Sequence, residues 1–204
     1  MTQISVSPEL IQQTVNFHGH SCPGLALGIR AAEVALAEFG RSSDEDIVAV
    51  VETDMCGVDA VQFLTGCTFG KGNLIHLDYG KNAFTFCRRS DGKAIRIIAR
   101  PESLNSQDDR LIALRKKMAN EELTSKEQKL FKDAMAAKTK RIFETSLDQL
   151  FEITPVKTST PRKARLMESL ICEACREATM ESRTRRFLGQ TLCIPCFEAM
   201  EKRY

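Results

Sequence analysis

Eight cysteines and three histidines are the residues of this 204-residue chain best suited to chemistry, and their spacing sorts them into two groups. Cys172-Glu173-Ala174-Cys175 and Cys193-Ile194-Pro195-Cys196 form two CxxC pairs with residues 176–192 between them. Each CxxC turn can aim two sulfurs at one ion, so the pairs predict a tetrahedral four-thiolate shell, the arrangement structural Zn²⁺ prefers. A thioredoxin-like redox pair is the alternative for one CxxC, but such a pair comes singly and in a βαβ setting. Four sulfurs leave no open position on the ion, so this zinc is expected to be structural rather than catalytic.

The second group lies near the N-terminus. His18, His20 and Cys22 crowd into five residues, and Cys56 and Cys67 flank the segment Gly57–Thr65. Imidazole and thiolate both suit zinc and other late first-row metals, which makes His20, Cys22 and Cys67 candidates for a second metal site. Pro23 can open a helix just after Cys22, placing that thiol at the positive end of a helix dipole, where thiolate is favoured. Cys22 or Cys67 as a nucleophile, with His20 as its base, is the catalytic alternative. Packing competes with both, because free Cys is among the most buried residue types. Packing is the reading for Cys87 and His76, which fall in predicted strands. The stretch Gly66-Cys67-Thr68-Phe69-Gly70-Lys71-Gly72-Asn73 fails the phosphate-loop pattern. One residue is missing between its glycines, and Lys71 is followed by Gly72 in place of the Mg²⁺-holding Ser or Thr. Lys71 and the loop N–H groups can still cradle a carboxylate or phosphate, but NTP hydrolysis is not expected.

The elements that must carry these residues follow from patterning. With 43% hydrophobic and 27% charged residues, the composition excludes a disordered or fibrous chain, and a net charge of +2 excludes a polycation acting along its whole length. Residues 157–204 carry ten basic against six acidic side chains, so the tail is the basic part. No apolar run approaches a membrane span, and the first residues lack a basic start. A cytoplasmic protein is therefore expected, with cysteines serving metal or redox chemistry. Ser7-Pro8-Glu9 predicts a capped helix running toward Asn16. Leu25, Ile29, Ala32, Leu36 and Phe39 predict a second helix, stopped by Gly40. Residues 47–52 read as a buried strand and Gly57–Thr65 as a helix. Three strands, 73–79, 83–88 and 94–100, are expected to form an antiparallel meander through turns at 80–82 and 90–92. Ser106 with Asp109, and Thr124 with Glu127, have capping-box spacing before two helices, and 150–156 closes the domain as a strand.

This predicts an α+β fold: a mixed or antiparallel sheet with packed helices over residues 1–156, a linker over 157–167, and a small finger over 168–204. Gly189 suits a hairpin turn, and the helix-compatible residues 197–204 favour a treble-clef-like end over a plain ribbon. Arg183, Arg185 and Arg186 read as a solvated hairpin face, with phosphate contact as the alternative.

His18-Gly19-His20-Ser21-Cys22-Pro23-Gly24, then Cys56-Gly57-Val58-Asp59-Ala60-Val61-Gln62, then Thr65-Gly66-Cys67-Thr68-Phe69-Gly70-Lys71-Gly72-Asn73, resembles the FmdE family of formylmethanofuran dehydrogenase proteins. The resemblance implies an α+β core forming an intertwined homodimer, with a zinc finger in some members. It further implies a ligand- or metal-binding groove around His18, His20, Cys22, Cys56, Asp59, Cys67 and Lys71; in our reading Cys56 and Asp59 are second candidates for ligand or general base. The family takes its name from association with a molybdenum or tungsten enzyme whose catalytic cofactor lies in other polypeptides of the complex. Residues 172–196 resemble the four-cysteine fingers of the DksA/TraR type, which act on protein partners. The expected function is a metal-binding accessory protein of such an oxidoreductase system, with the finger docking a protein. An enzyme using the Cys/His site, or a zinc-finger regulator placing its arginines on nucleic acid, are the alternatives.

Overall fold

Ser7 accepts from the N–H of Leu10 and Pro8 follows it, so the first helix, α1 (Pro8–His18), starts where its capping residues stand. The computed structural model describes residues 6–104, 109–157 and 160–202. After α1 come α2 (Pro23–Phe39), strand β1 (Ile47–Val51), α3 (Gly57–Thr65), β2 (Leu74–His76), β3 (Ala83–Arg88) and β4 (Ala94–Ala99). Four helices, α4 (Pro101–Leu104), α5 (Asp109–Met118), α6 (Ser125–Glu144) and α7 (Leu147–Leu150), lead to β5 (Phe151–Pro155). The Thr124/Glu127 capping box forms in full at the start of α6; Ser106 lies outside the described residues.

The five strands make one mixed sheet in the order β2-β1-β3-β4-β5. Here the expected meander is corrected. β2 pairs parallel with β1, as Ala49 opposite Leu74 and Val51 opposite His76, and never meets β3. β1 lies between them and pairs antiparallel with β3. Residues 77–82 are not a hairpin turn: Leu77 and Lys81 donate to Val51 and Glu52 as the chain crosses the end of β1. The other junction, residues 89–93, does turn β3 into β4. Physically, the β-branched run of β1 is apolar on both faces and takes a central place, whereas β2 ends in exposed His76 and suits an edge.

α2 is buried on two sides. Ala26, Leu27, Ala31 and Ala35 join Ala49, Val51, Phe84, Phe86, Ile95 and Ile97 of the sheet in the main core. Leu25, Ile29 and Ala32 pack instead with Ala60 and Leu64 of α3 and, beyond them, Leu10 and Val15 of α1. A helix apolar on two faces belongs in the middle of a domain. Its register sets where the start of α3 must fall.

Residues 164–204 form a separate compact unit. Two hairpins, β6 (Ser169–Ile171) with β7 (Ala178–Met180), and β8 (Thr184–Phe187) with β9 (Gln190–Cys193), precede α8 (Ile194–Glu201). Leu188 and Gly189 both take positive φ, the primed turn a two-residue hairpin needs. Its core is small: Cys172, Leu192 and Cys193, with Phe187 edge-on to Phe197 at 5.5 Å.

Candidate functional site

α1 ends at His18, α2 begins after Cys22 and α3 begins after Cys56, so three helix ends supply one cluster. One ligand atom each from His18, His20, Cys22 and Cys56 lies within 4.8 Å of the others. Cys22 caps α2, its sulfur accepting from the N–H of Leu25 at 3.4 Å. The two sulfurs flank Gly24, where a Cβ would stand 3.8 Å from Cys56 Sγ and 3.9 Å from Cys22 Sγ. Both thiols thus sit at helix N-termini.

The helices reach this geometry through a backbone contact. A Cβ on Gly28 would come within 2.3 Å of the Gly57 carbonyl oxygen and 2.4 Å of its Cα, so α2 and α3 approach more closely than any side chain permits. Gly57 follows Cys56 directly, and Gly28 lies one turn beyond Gly24. The crossing therefore brings Cys56 to Cys22.

Asp59, in the first turn of α3, orients the cluster's most buried imidazole. His18 Nδ1 lies 2.7 Å from Asp59 Oδ2, so Nδ1–H donates to the carboxylate. That leaves Nε2 as the nitrogen able to ligate, and it is buried with no hydrogen-bond partner. A buried ring nitrogen without a partner is costly unless something binds it, and carboxylate–histidine–metal is a recurrent arrangement. His20, with its ring centroid 4.4 Å from that of His18, is exposed. Burial, then the neighbouring Cys22 sulfur, push the Cys56 thiol above its usual range. A cation among these donors would reverse that penalty. The nitrogen and sulfur atoms present fit zinc or another late first-row ion.

Two expected members stand elsewhere. Cys67 is fully buried in the main core, its thiol donating to the carbonyl of Ile47 at 3.4 Å, and burial raises its pKa. Cys56 and Cys67 flank opposite ends of a nine-residue helix, about 13 Å of rise, so both cannot reach one ion. Cys56 takes the place expected of Cys67. Lys71 lines a separate open groove with Arg41, Phe17 and Phe63, none of which the sequence singled out. Cys87 is buried as expected, whereas His76 is exposed at the sheet edge.

In the finger, ligand atoms of Cys172, Cys175, Cys193 and Cys196 likewise lie within 4.8 Å of one another, with Cys175 and Cys193 sulfurs 3.9 Å apart. The N–H of Cys193 points at Cys172 Sγ (3.3 Å), and this and the Cys175 N–H hold the Cys172 thiol down at about 6. The Cys193 sulfur, with burial and the other two thiols, pushes Cys196 up to about 12. Sulfurs crowded so closely need a dication to ionise together. Arg185 bonds Thr184 and Arg186 bonds Thr191 on an exposed hairpin face.

The fold and these clusters define a metal-binding α+β protein carrying a four-cysteine zinc finger. Residues 17–152 match the family described as FmdE, molybdenum formylmethanofuran dehydrogenase operon, and the chain belongs to it. Residues 168–202 match the prokaryotic dksA/traR C4-type zinc finger. A "probable S-adenosyl-L-methionine-binding protein" of Archaeoglobus fulgidus is 32% identical over 195 residues, 92% of this chain. The match covers 52% of that protein, so the chain spans about half its length. The crystal structure of a tungsten formylmethanofuran dehydrogenase FmdE-like protein from Syntrophus aciditrophicus superposes with a TM-score of 0.64 at 26% identity. That likeness covers 98% of this chain and 97% of the other. Among the described residues no helix is long and apolar enough to cross a membrane.

Proposed function

We propose that this protein serves a molybdenum- or tungsten-type oxidoreductase as an accessory protein that holds a second metal ion in its core. His18, His20, Cys22 and Cys56 hold that ion, and Asp59 positions His18. The observation carrying the reading is the buried, unpartnered Nε2 of His18, its other nitrogen already fixed by a carboxylate, on an imidazole that clusters with two thiols. His20 is exposed and the other three donors are half-buried, so an ion can enter and leave through the imidazole side, as an accessory protein requires. The finger, closed by four sulfurs, docks a protein of the complex. Its exposed Leu188, Met180 and Ile171 supply apolar contact. Family membership supports the dehydrogenase association, and a cytoplasmic homodimer accords with the family resemblance.

Elemental analysis of the purified full-length chain tests the core site. The wild type should hold one ion more per chain than the finger accounts for, and Cys22→Ser/Cys56→Ser should lose that ion while keeping the finger's zinc. Equal metal content in the two proteins would remove the core site.

A further inference from the structure

Beside the metal cluster, but containing none of its four donors, lies an open groove of about 810 Å³. Its wall is aromatic: Phe17 and Phe63 meet with ring centroids 5.4 Å apart and planes tilted by 35°. Phe17 nonetheless remains 55% exposed, an apolar face left in water. Arg41 and Lys71 provide its charge, Ser43 and Thr68 its hydroxyls, and no acidic side chain lines it. Arg41 donates through Nη2 to the Phe63 carbonyl (3.2 Å), which fixes the guanidinium beside the ring and leaves its other N–H groups available. Neither Arg41 nor Lys71 forms an ion pair among the described residues, although acids elsewhere pair with Arg88, Arg89, Lys93 and Arg96.

The segments that carry the two cations are held in place before any ligand arrives. Asn73 is fully buried; its side-chain oxygen accepts from the Thr68 N–H (2.9 Å), and its amide donates to the Asp44 and Ile47 carbonyls (3.2 and 3.0 Å). One buried amide therefore ties the loop carrying Lys71 to the segment following Arg41. Gly66 brings these segments into contact, since a Cβ there would fall 2.5 Å from the Ser42 carbonyl oxygen. Gln62 accepts from the Phe69 N–H (3.1 Å) and steadies the loop's outer side. A pre-organised loop lowers the ordering cost of binding.

We propose that this groove binds a flat aromatic or heteroaromatic ring carrying an acidic group, the ring lying against Phe17 and Phe63 and the acid meeting Lys71 and Arg41. Paired aromatic faces reward a π-bearing body, and a guanidinium with a free ammonium rewards a phosphate or carboxylate. The joined molecule satisfies both ends, whereas ring or acid alone satisfies one. A nucleotide and a simple aryl acid share this chemistry. Because the groove shares no residue with the four metal donors, the proposal stands or falls apart from the core metal.

Calorimetric titration of the full-length chain with adenosine monophosphate, phenyl phosphate, adenosine and inorganic phosphate tests it. Adenosine monophosphate or phenyl phosphate should bind at least about tenfold more tightly than adenosine or phosphate, and more weakly as salt is added. Tighter binding of the nucleotide identifies that source; equal binding identifies aryl acids at large. Lys71→Met and Phe17→Ala, both at accessible side chains, should each weaken binding about tenfold without changing metal content or Tm. Absence of binding at millimolar concentration, equal binding of adenosine and its monophosphate, or indifference to both substitutions would overturn the proposal.

Discussion

The finger and the core each gather four donors, but they do so in opposite ways. In the finger all four sulfurs come from residues 172–196, in two local knuckles, and the apolar core beneath them is little more than Leu192 with Phe187 and Phe197. In the core domain the donors come from three helix ends as far apart in sequence as His18 and Cys56, on a scaffold already buried by α2 and the sheet. A unit the size of residues 164–204 is too small to be stabilised by burial alone and borrows its folding free energy from an ion. The core domain has its own apolar burial in α2 and the sheet, and on that scaffold the four donors are gathered. In one region metal makes structure; in the other, structure gathers the donors.

Breaking each region should therefore have different consequences. The largest effect is expected from Cys193→Ser or from chelation, which removes structural zinc worth on the order of 10 kcal/mol to a small module. Amide exchange should then accelerate throughout residues 168–202 while β1 and β3 keep their protection. A metal-free finger that stays protected would show that its own core suffices. Next is Gly28→Ala, which pushes a methyl into the Gly57 backbone and should cost about 3 kcal/mol, read as a fall in the urea midpoint of the core. This change separates Cys22 from Cys56, so the core ion should be lost with it while the finger's zinc remains.

Asp59→Asn sharpens the comparison more gently. It keeps the size of the His18 partner but removes its charge, and should weaken metal binding at the core site by about 10–100-fold, measured by competition with a chromophoric chelator. The finger has no such carboxylate-oriented imidazole and should be unaffected. The smallest effect is electrostatic and involves neither cluster. Lys117, then the Thr124 N–H and hydroxyl, hold the half-buried Glu127 carboxyl at about 2, below its ordinary value of 4.5. A depressed carboxyl contributes above its unfolded pKa and loses that contribution as pH falls through the folded one. The start of α6 should therefore fray between about pH 4.5 and pH 2, seen as faster exchange at residues 125–128. Glu127→Gln should flatten that dependence.

Local rules were legible wherever a single segment carried them. The capping residues Ser7 and Thr124 act as their positions suggest, the turn at Leu188-Gly189 forms, and the CxxC spacing assembles its cluster unaided. The meander failed because turn residues at 80–82 do not reveal whether the strands they join are neighbours; β1 was free to enter between β2 and β3. Cys67 misled for a related reason. It sits in a motif as suggestive as that of Cys56, yet it occupies the far end of α3, where burial against β1 claims it. The groove was legible only through Lys71, since Phe17 and Arg41 carry no motif and become neighbours through folding.

From the chain alone came the finger with its four ligands, the helix starts, and the inventory of imidazoles and thiols near the N-terminus. Spacing suffices there because CxxC turns and capping boxes act over three or four residues. Which thiol joins the two histidines, which nitrogen of His18 is left to bind, and where two cations meet two aromatic rings were settled only in three dimensions. Those outcomes depend on a glycine-to-glycine crossing of α2 and α3, on a carboxylate a helical turn into α3, and on one buried asparagine amide. Contacts between segments so distant in the chain are chosen by packing, which no short-range pattern encodes.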